Sequence, residues 1–131
     1  MKKDIQIPQG TDVYVALVQE YNEIYKTYDW NTYIINDKDV PLQMILIVSR
    51  GYTQDKETSI MRHKLDNLPP KSYAKIEIMH EDVLALNNEF KVTFFEANIM
   101  FDKTYLFRKN TINQKALQNI PLMAAKGVLV K

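Results

Sequence analysis

The apolar residues of this chain come in short runs separated by polar and turn-forming residues, and this spacing constrains the fold more than any other feature. Alternating runs of roughly four to eight residues are typical of β-strands, whereas an amphipathic helix keeps a period near 3.6 for about ten residues or more. Pro69 and Pro70 also break the chain, because proline cannot donate a hydrogen bond to a sheet. The spacing therefore predicts an all-β chain.

The runs predict seven or eight strands and at most one short helical turn. Strands are expected at residues 13–19, 32–36, 41–49, 58–65, 72–78, 89–101 and 104–109, with edge-strand character in the tail at 116–131. Asp102 and Lys103 are expected to form a tight reversal, and residues 80–88 to form the helical turn. A single antiparallel β-sandwich domain spanning residues 1–131 accounts for this order.

The strand at 72–78 alternates clearly enough for its two faces to be assigned. Ala74, Ile76 and Ile78 are expected to point into the core, and Lys75 and Glu77 to be exposed. A shift of the register by one residue would bury both charged side chains, so only one orientation is expected.

Composition excludes several classes of protein. Seventeen basic residues stand against sixteen acidic residues, which argues against nucleic-acid binding because phosphate contacts usually require a basic excess. The absence of cysteine rules out disulfides, thiol nucleophiles, thiolate zinc sites and iron–sulfur clusters. No cofactor is predicted.

No segment of the sequence predicts contact with a membrane. Lys2 and Lys3 resemble the start of a signal peptide, but no apolar stretch follows them. The apolar run at residues 44–48, like every other apolar run of the sequence, is far too short to cross a bilayer. The expected location is the cytoplasm.

One segment resembles part of a fibronectin-III or other immunoglobulin-like domain. Residues 67–90, NLPPKSYAKIEIMHEDVLALNNEF, run from a proline turn through an alternating strand and an acidic helical turn into the next strand. The resemblance covers about a fifth of the chain. It implies an immunoglobulin-like sandwich and carries no activity.

The chain as a whole resembles a small family of uncharacterised Bacteroidetes-type proteins, through TYDWNTYIINDKDVPL, MRHKL, NNEF and MFDKTYLF. Some members of that family are labelled phenylalanyl-tRNA synthetase α subunits. A class II synthetase core needs a longer chain and arginines within its motifs, and this chain has only Arg50, Arg62 and Arg108. The sequence does not support the label.

The most distinctive chemistry is an aromatic cluster in residues 20–37, which holds four tyrosines and the only tryptophan. On a strand, Trp30 and Tyr33 face opposite sides of the sheet. Trp30 is expected to be buried and Tyr33 to keep its hydroxyl near water. Tyr25 and Tyr28 are expected to be exposed, because the residues around them are polar.

The local structure around these tyrosines has two interpretations. Tyr21, Tyr25 and Tyr28 fit a loop or strand edge, but their spacings of four and three would also place them on one face of a helix. The cluster is either ordinary packing of the sandwich or a surface on which a ligand or partner stacks.

No catalytic or metal site is predicted. His63 lies between Arg62 and Lys64, and this basic trio is expected to form a solvent-exposed strand edge. No metal-binding motif surrounds His63 in the sequence. The consecutive His80, Glu81 and Asp82 cannot converge on one ion, so the two acids are assigned to the start of a helical turn. Glycine-rich phosphate loops and serine-hydrolase motifs are absent from the sequence. Catalytic residues can also be scattered along a chain without a motif, so an enzyme stays an alternative.

These features predict a non-catalytic binding or protein-interaction module, with Tyr25, Tyr28 and Tyr33 as its binding residues. The alternative is a small-ligand protein that binds a carbohydrate or a planar metabolite at Trp30, Tyr28 and Tyr33. The apolar run 44–48 and apolar edge strands also leave a homodimer open beside a monomer.

Overall fold

The computed structural model describes residues 12–130 of the chain. Their strands, in chain order, are β1 (Val13–Asn22), β2 (Thr27–Asn36), β3 (Leu42–Tyr52), β4 (Met61–Leu68), β5 (Ser72–Met79), β6 (Asn87–Glu96), β7 (Ile99–Phe107), β8 (Gln118–Asn119) and β9 (Lys126–Val130). A one-turn helix, α1 (Glu81–Leu84), precedes β6, and a 3₁₀ turn, Gln114–Ala116, follows β7.

The strands form two antiparallel sheets that pack face to face. One sheet has the order β5-β2-β1-β9-β8 and the other β4-β3-β6-β7. A continuous apolar core fills the space between them, with Leu17, Ile34, Ile47, Phe90 and Phe107 among its buried members. The all-β sandwich is therefore confirmed. Within residues 12–130 it has nine strands and not seven or eight, because the sequence pattern does not reveal a strand of only two residues such as β8.

Two local expectations have different outcomes. The acidic residues Glu81 and Asp82 do begin a single helical turn. The reversal expected at Asp102 and Lys103 is wrong, because both residues lie within β7. The chain turns at Ala97 and Asn98, which both have positive φ, as a two-residue hairpin turn of mirror-image geometry requires.

The expected faces of β5 are correct only for its first half. Ala74 and Ile76 pack against the core and Lys75 is exposed, but Ile78 is 41% exposed and Glu77 points inward. The cause is a β-bulge: Thr32 of β2 pairs with Glu77 and Tyr33 pairs with Lys75, which leaves Ile76 without a partner. One extra residue reverses the alternation for the rest of the strand.

The outer face of the five-stranded sheet carries a second, smaller apolar cluster. Ala16, Val18 and Ile35 are buried there beneath Ile120, which comes from the loop between β8 and β9. This cover explains why the strands β1 and β2 carry apolar residues on both faces.

No helix within residues 12–130 is long and apolar enough to cross a membrane. Lys2 and Lys3 lie outside the described residues.

A tyrosine links the two sheets directly. Tyr105 of β7 is fully buried, and its hydroxyl donates a hydrogen bond to the Val13 carbonyl of β1 in the opposite sheet. Burial raises the pKa of Tyr105 above its ordinary value of 10.0, with a smaller effect from Tyr14. The folded protein therefore holds the protonated phenol more strongly than the unfolded chain does.

This raised pKa predicts an alkaline dependence of stability. At pH 8, Tyr105→Phe should lower the unfolding free energy by about 1 kcal/mol, because one hydrogen bond is lost. Above pH 10 the unfolded wild-type chain loses the Tyr105 proton and the folded chain keeps it, so wild-type stability falls by up to about 1.4 kcal/mol per pH unit. Urea unfolding at pH 8 and pH 11 should show the gap between the two proteins closing. A gap that is the same at both pH values would contradict this prediction.

The pairing of β9 with β1 depends on a glycine. A Cβ atom at Gly127 would overlap the backbone carbonyl oxygen of Leu17, which cannot move without disturbing the sheet. At Gly51, by contrast, the atoms nearest to an added Cβ belong to side chains, the closest being Asn88 Oδ1 at 3.0 Å.

Gly127→Ala should therefore lower the unfolding free energy by about 1–3 kcal/mol or more, because overpacking forces the backbone to shift. Gly51→Ala is the matched control and should cost less, because side chains can adjust. Thermal melts of the two variants check the order, and an equal or larger loss in Gly51→Ala would refute it.

Candidate functional site

The first candidate region is the hairpin that joins β1 to β2. Tyr21 and Tyr28 are register partners at its base, with ring centroids 5.1 Å apart in an edge-to-face arrangement. Ile24 and Tyr25 lie in the turn and are 85% and 76% exposed, and Tyr28 is 69% exposed. We call Tyr21, Ile24, Tyr25 and Tyr28 the tyrosine tip. It confirms the expected exposure of Tyr25 and Tyr28 and excludes the helical alternative.

Polar side chains beneath the tip hold its backbone. Asn22 Oδ1 accepts hydrogen bonds from the backbone N–H groups of Ile24 and Tyr25, at 3.0 and 3.2 Å. Asn22 Nδ2 donates to Asp29 at 3.0 Å, and the Thr27 hydroxyl donates to the other oxygen of Asp29, also at 3.0 Å. The turn is thus fixed by side chains of both strands.

Trp30 is buried, as expected. It is 8% exposed and belongs to the core between the sheets, on the same face of β2 as Ile34. Its cross-strand partner in β5 is Met79, which is also buried. Because its ring is enclosed, Trp30 does not offer a stacking face to a sugar or a planar metabolite.

Tyr33 lies on the opposite face of the sheet from the tip. Its hydroxyl donates to Glu20 Oε1 at 2.6 Å, and Asn31 Nδ2 donates to the same oxygen at 2.8 Å. Its ring packs edge to face against the ring of Tyr73, with the two ring centroids 5.7 Å apart. Burial, followed by the hydrogen bond to Glu20, raises the pKa of Tyr33. Tyr33 is therefore engaged within the outer face of its own sheet.

The structure consequently brings together two of the three predicted binding residues. Tyr25 and Tyr28 belong to the tip, whereas Tyr33 is five positions beyond Tyr28 on a regular strand and faces the other side. Sequence reasoning missed Ile24 as a member of the exposed group. The polar residues Glu23 and Lys26, which flank Ile24 and Tyr25 in the sequence, are the signal that could have found it.

The second candidate region lies where the edge strands β4 and β5 face each other across the open side of the sandwich. Glu77 points inward there because of the bulge at Ile76. The Ser49 hydroxyl donates to Glu77 Oε1 at 2.9 Å, and His63 Nε2 lies 2.7 Å from the same oxygen. An ionised carboxylate only accepts hydrogen bonds, so His63 donates from Nε2.

This contact corrects the sequence interpretation of His63. The side chain is half-buried and bridges the two sheets, and it is not part of a solvated edge. The alternation of β4 turns His63 inward together with Leu65, while Arg62 and Lys64 are exposed. No local signal in the sequence links residue 63 to residue 77.

A cavity of about 350 Å³ lies beside Glu77, which is one of its lining residues. Its walls are largely apolar and come from both sheets and from α1. The apolar lining residues are Met61, Ile78, Met79, Val83 and Phe90, and the polar ones include Ser49, Arg50, Glu77, His80 and Asn88.

The arrangement of this region differs from a serine nucleophile activated by a histidine. The Ser49 hydroxyl and the His63 imidazole both contact Glu77, so the carboxylate stands between them. Within residues 12–130, no group of three or more His, Asp or Glu side chains is arranged to hold a metal ion.

Comparison with known proteins adds no family. No protein-family model matches the chain, and no curated protein matches its sequence. The tyrosine tip and the cavity beside Glu77 are therefore the two features of the protein that bear on its function.

The contrast between Trp30 and Tyr28 is testable by substitution. Trp30→Ala should lower the unfolding free energy by about 3–5 kcal/mol, because it removes a large buried ring from the core. Tyr28→Ala should cost less than about 1 kcal/mol, because it loses only an exposed ring pair with Tyr21. Chemical denaturation measures both. A Tyr28→Ala protein as unstable as Trp30→Ala would show that the tip is structural.

Proposed function

We propose that this protein is a non-catalytic protein-interaction module that docks on its partner through the tyrosine tip. The single observation that carries the proposal is the exposure of Tyr21, Ile24, Tyr25 and Tyr28 together at one hairpin end. Contiguous exposed apolar side chains are unusual on a monomeric protein, and tyrosine is enriched among residues that dominate binding energy.

The backbone of the tip supports this proposal because it is held in place before any partner binds. Asn22 caps the turn with two hydrogen bonds, and Asp29 ties Asn22 to Thr27. A preorganised loop loses less conformational entropy on binding. Tyrosine adds little further cost, because it has only two side-chain torsions to fix.

The charges around the tip favour a protein partner over a nucleic acid or an anionic membrane. Beside the tip, the hairpin carries two acidic residues, Glu23 and Asp29, and one basic residue, Lys26, so the tip has no basic excess. Phosphate-rich partners require clusters of lysine or arginine beside the contact surface. An apolar patch with a mildly acidic surround fits a protein surface with apolar and basic residues.

We extend the proposal to the fold family and the location. Of the first seven strands, one sheet contains β1, β2 and β5, and the other contains β3, β4, β6 and β7. The chain thus crosses from sheet to sheet after β2, β4 and β5, which supports an immunoglobulin-like sandwich. A chain without cysteine needs no oxidising compartment, in keeping with action in the cytoplasm.

The experiment compares two matched double variants in the native cell. Ile24→Ser with Tyr25→Ser removes the two most exposed side chains of the tip, and Ile99→Ser with Tyr73→Ser removes an isoleucine and a tyrosine that are exposed elsewhere. A tagged wild-type chain should capture a protein that the control variant also captures and the tip variant does not. With that protein purified, the tip variant should bind at least about tenfold more weakly, the loss expected from removing hot-spot residues.

The result that would refute the proposal is equal binding by both variants and the wild type. Tip-dependent sedimentation with phospholipid vesicles would replace the protein partner with a membrane surface. Tip-dependent self-association, measured by sedimentation equilibrium with no other protein captured, would replace it with a second copy of the chain. Circular dichroism of both variants confirms that the fold is retained.

A further inference from the structure

We propose that the cavity beside Glu77 binds a small molecule with an apolar body and a cationic amine head. This site is separate from the tyrosine tip, and the proposal does not depend on the proposed docking function.

The size and lining of the cavity match a small-molecule site. Its volume of about 350 Å³ lies within the range of roughly 300–1,000 Å³ that ligand pockets occupy. Met61, Met79, Val83 and Phe90 supply apolar walls from four different elements. A few polar groups among apolar walls are what orient a ligand in such a pocket.

Glu77 supplies a fixed anionic group at the cavity wall. Ser49 and His63 donate to one oxygen, Oε1, and hold the carboxylate in place. A carboxylate offers about four acceptor positions, so two donors leave capacity for a ligand. Ser49 is itself buried, which limits movement of this arrangement. An ammonium group near Glu77 would gain a charge-assisted hydrogen bond in a partly dry site.

The surrounding charges favour a cation over an anion. Arg50 also lines the cavity, but its guanidinium is already paired with Glu57 at 3.3 Å and Glu89 at 3.2 Å. Glu77 is therefore the one carboxylate among the lining residues, and the one guanidinium, Arg50, is already paired with two other carboxylates. The amide donors of Asn88 are likewise used, since Nδ2 donates to the Val83 and Leu86 carbonyls. An anionic ligand would meet the charge of Glu77, while the guanidinium of Arg50 is already engaged by Glu57 and Glu89.

The test uses three probes of similar shape: phenethylamine, 2-phenylethanol and phenylacetate. Binding is followed by NMR of protein carrying ¹³C-methyl methionine, assigned by single Met→Leu substitutions. Met61 and Met79 line the cavity, whereas Met100 and Met123 do not and serve as internal references. Phenethylamine should shift the Met61 and Met79 signals selectively. Its Kd should be at least about tenfold lower than that of 2-phenylethanol, and phenylacetate should bind most weakly.

Glu77→Gln keeps the side-chain shape and removes the charge, so it should abolish the preference for the amine over the alcohol. Glu23→Gln is the matched control, because it removes an exposed carboxylate at the hairpin tip, and it should keep the preference. Equal binding of amine and alcohol to the wild-type protein would overturn the proposal, as would stronger binding of phenylacetate. Phenethylamine that leaves Met61 and Met79 unshifted would overturn it as well. The wild-type comparison decides the question even if Glu77→Gln does not fold.

Discussion

The arrangement of the open side of the sandwich depends on one residue without a partner, Ile76 in β5. Because Ile76 is an insertion relative to β2, the strand changes phase after it. Met79 then points into the core opposite Trp30, and Glu77 points between the sheets toward Ser49 and His63. Packing around the only tryptophan and the charged wall of the cavity therefore have a common cause in the register of this edge strand.

The all-β architecture was predictable because strand alternation is a local property. The bulge was not, since residues 72–78 alternate without interruption in sequence, and only pairing with β2 reveals the extra residue. The bond between Glu77 and His63 was equally hidden, because it joins edge strands of different sheets. A pattern of alternating residues assigns faces correctly only as far as the strand stays in register with its neighbour.

In the aromatic segment, too, alternation assigns the residues of the regular strand but not those of the turn before it. Strand β2 is regular against β1, so alternation correctly separated Trp30 from Tyr33. The turn before it contains neither glycine nor proline, and Lys26 adopts a positive φ that its sequence does not signal. The spacing of Tyr21, Tyr25 and Tyr28 could therefore be read as helical. Asn22 resolves the turn through side-chain bonds that no periodicity records.

Both candidate regions depart from the ordinary distribution of apolar and charged side chains, and they do so in opposite directions. Ile24 and Tyr25 are large hydrophobic side chains exposed to solvent, where they do not contribute to the buried core. Glu77 is a carboxylate turned inward, where loss of hydration is offset by Ser49 and His63. In each case a polar side chain, Asn22 at the tip and Ser49 at the cavity, helps to hold the exceptional group in one conformation. A sequence that is otherwise consistent with its fold concentrates such exceptions where binding occurs, which is why the tip and the cavity are the places where this protein is expected to act.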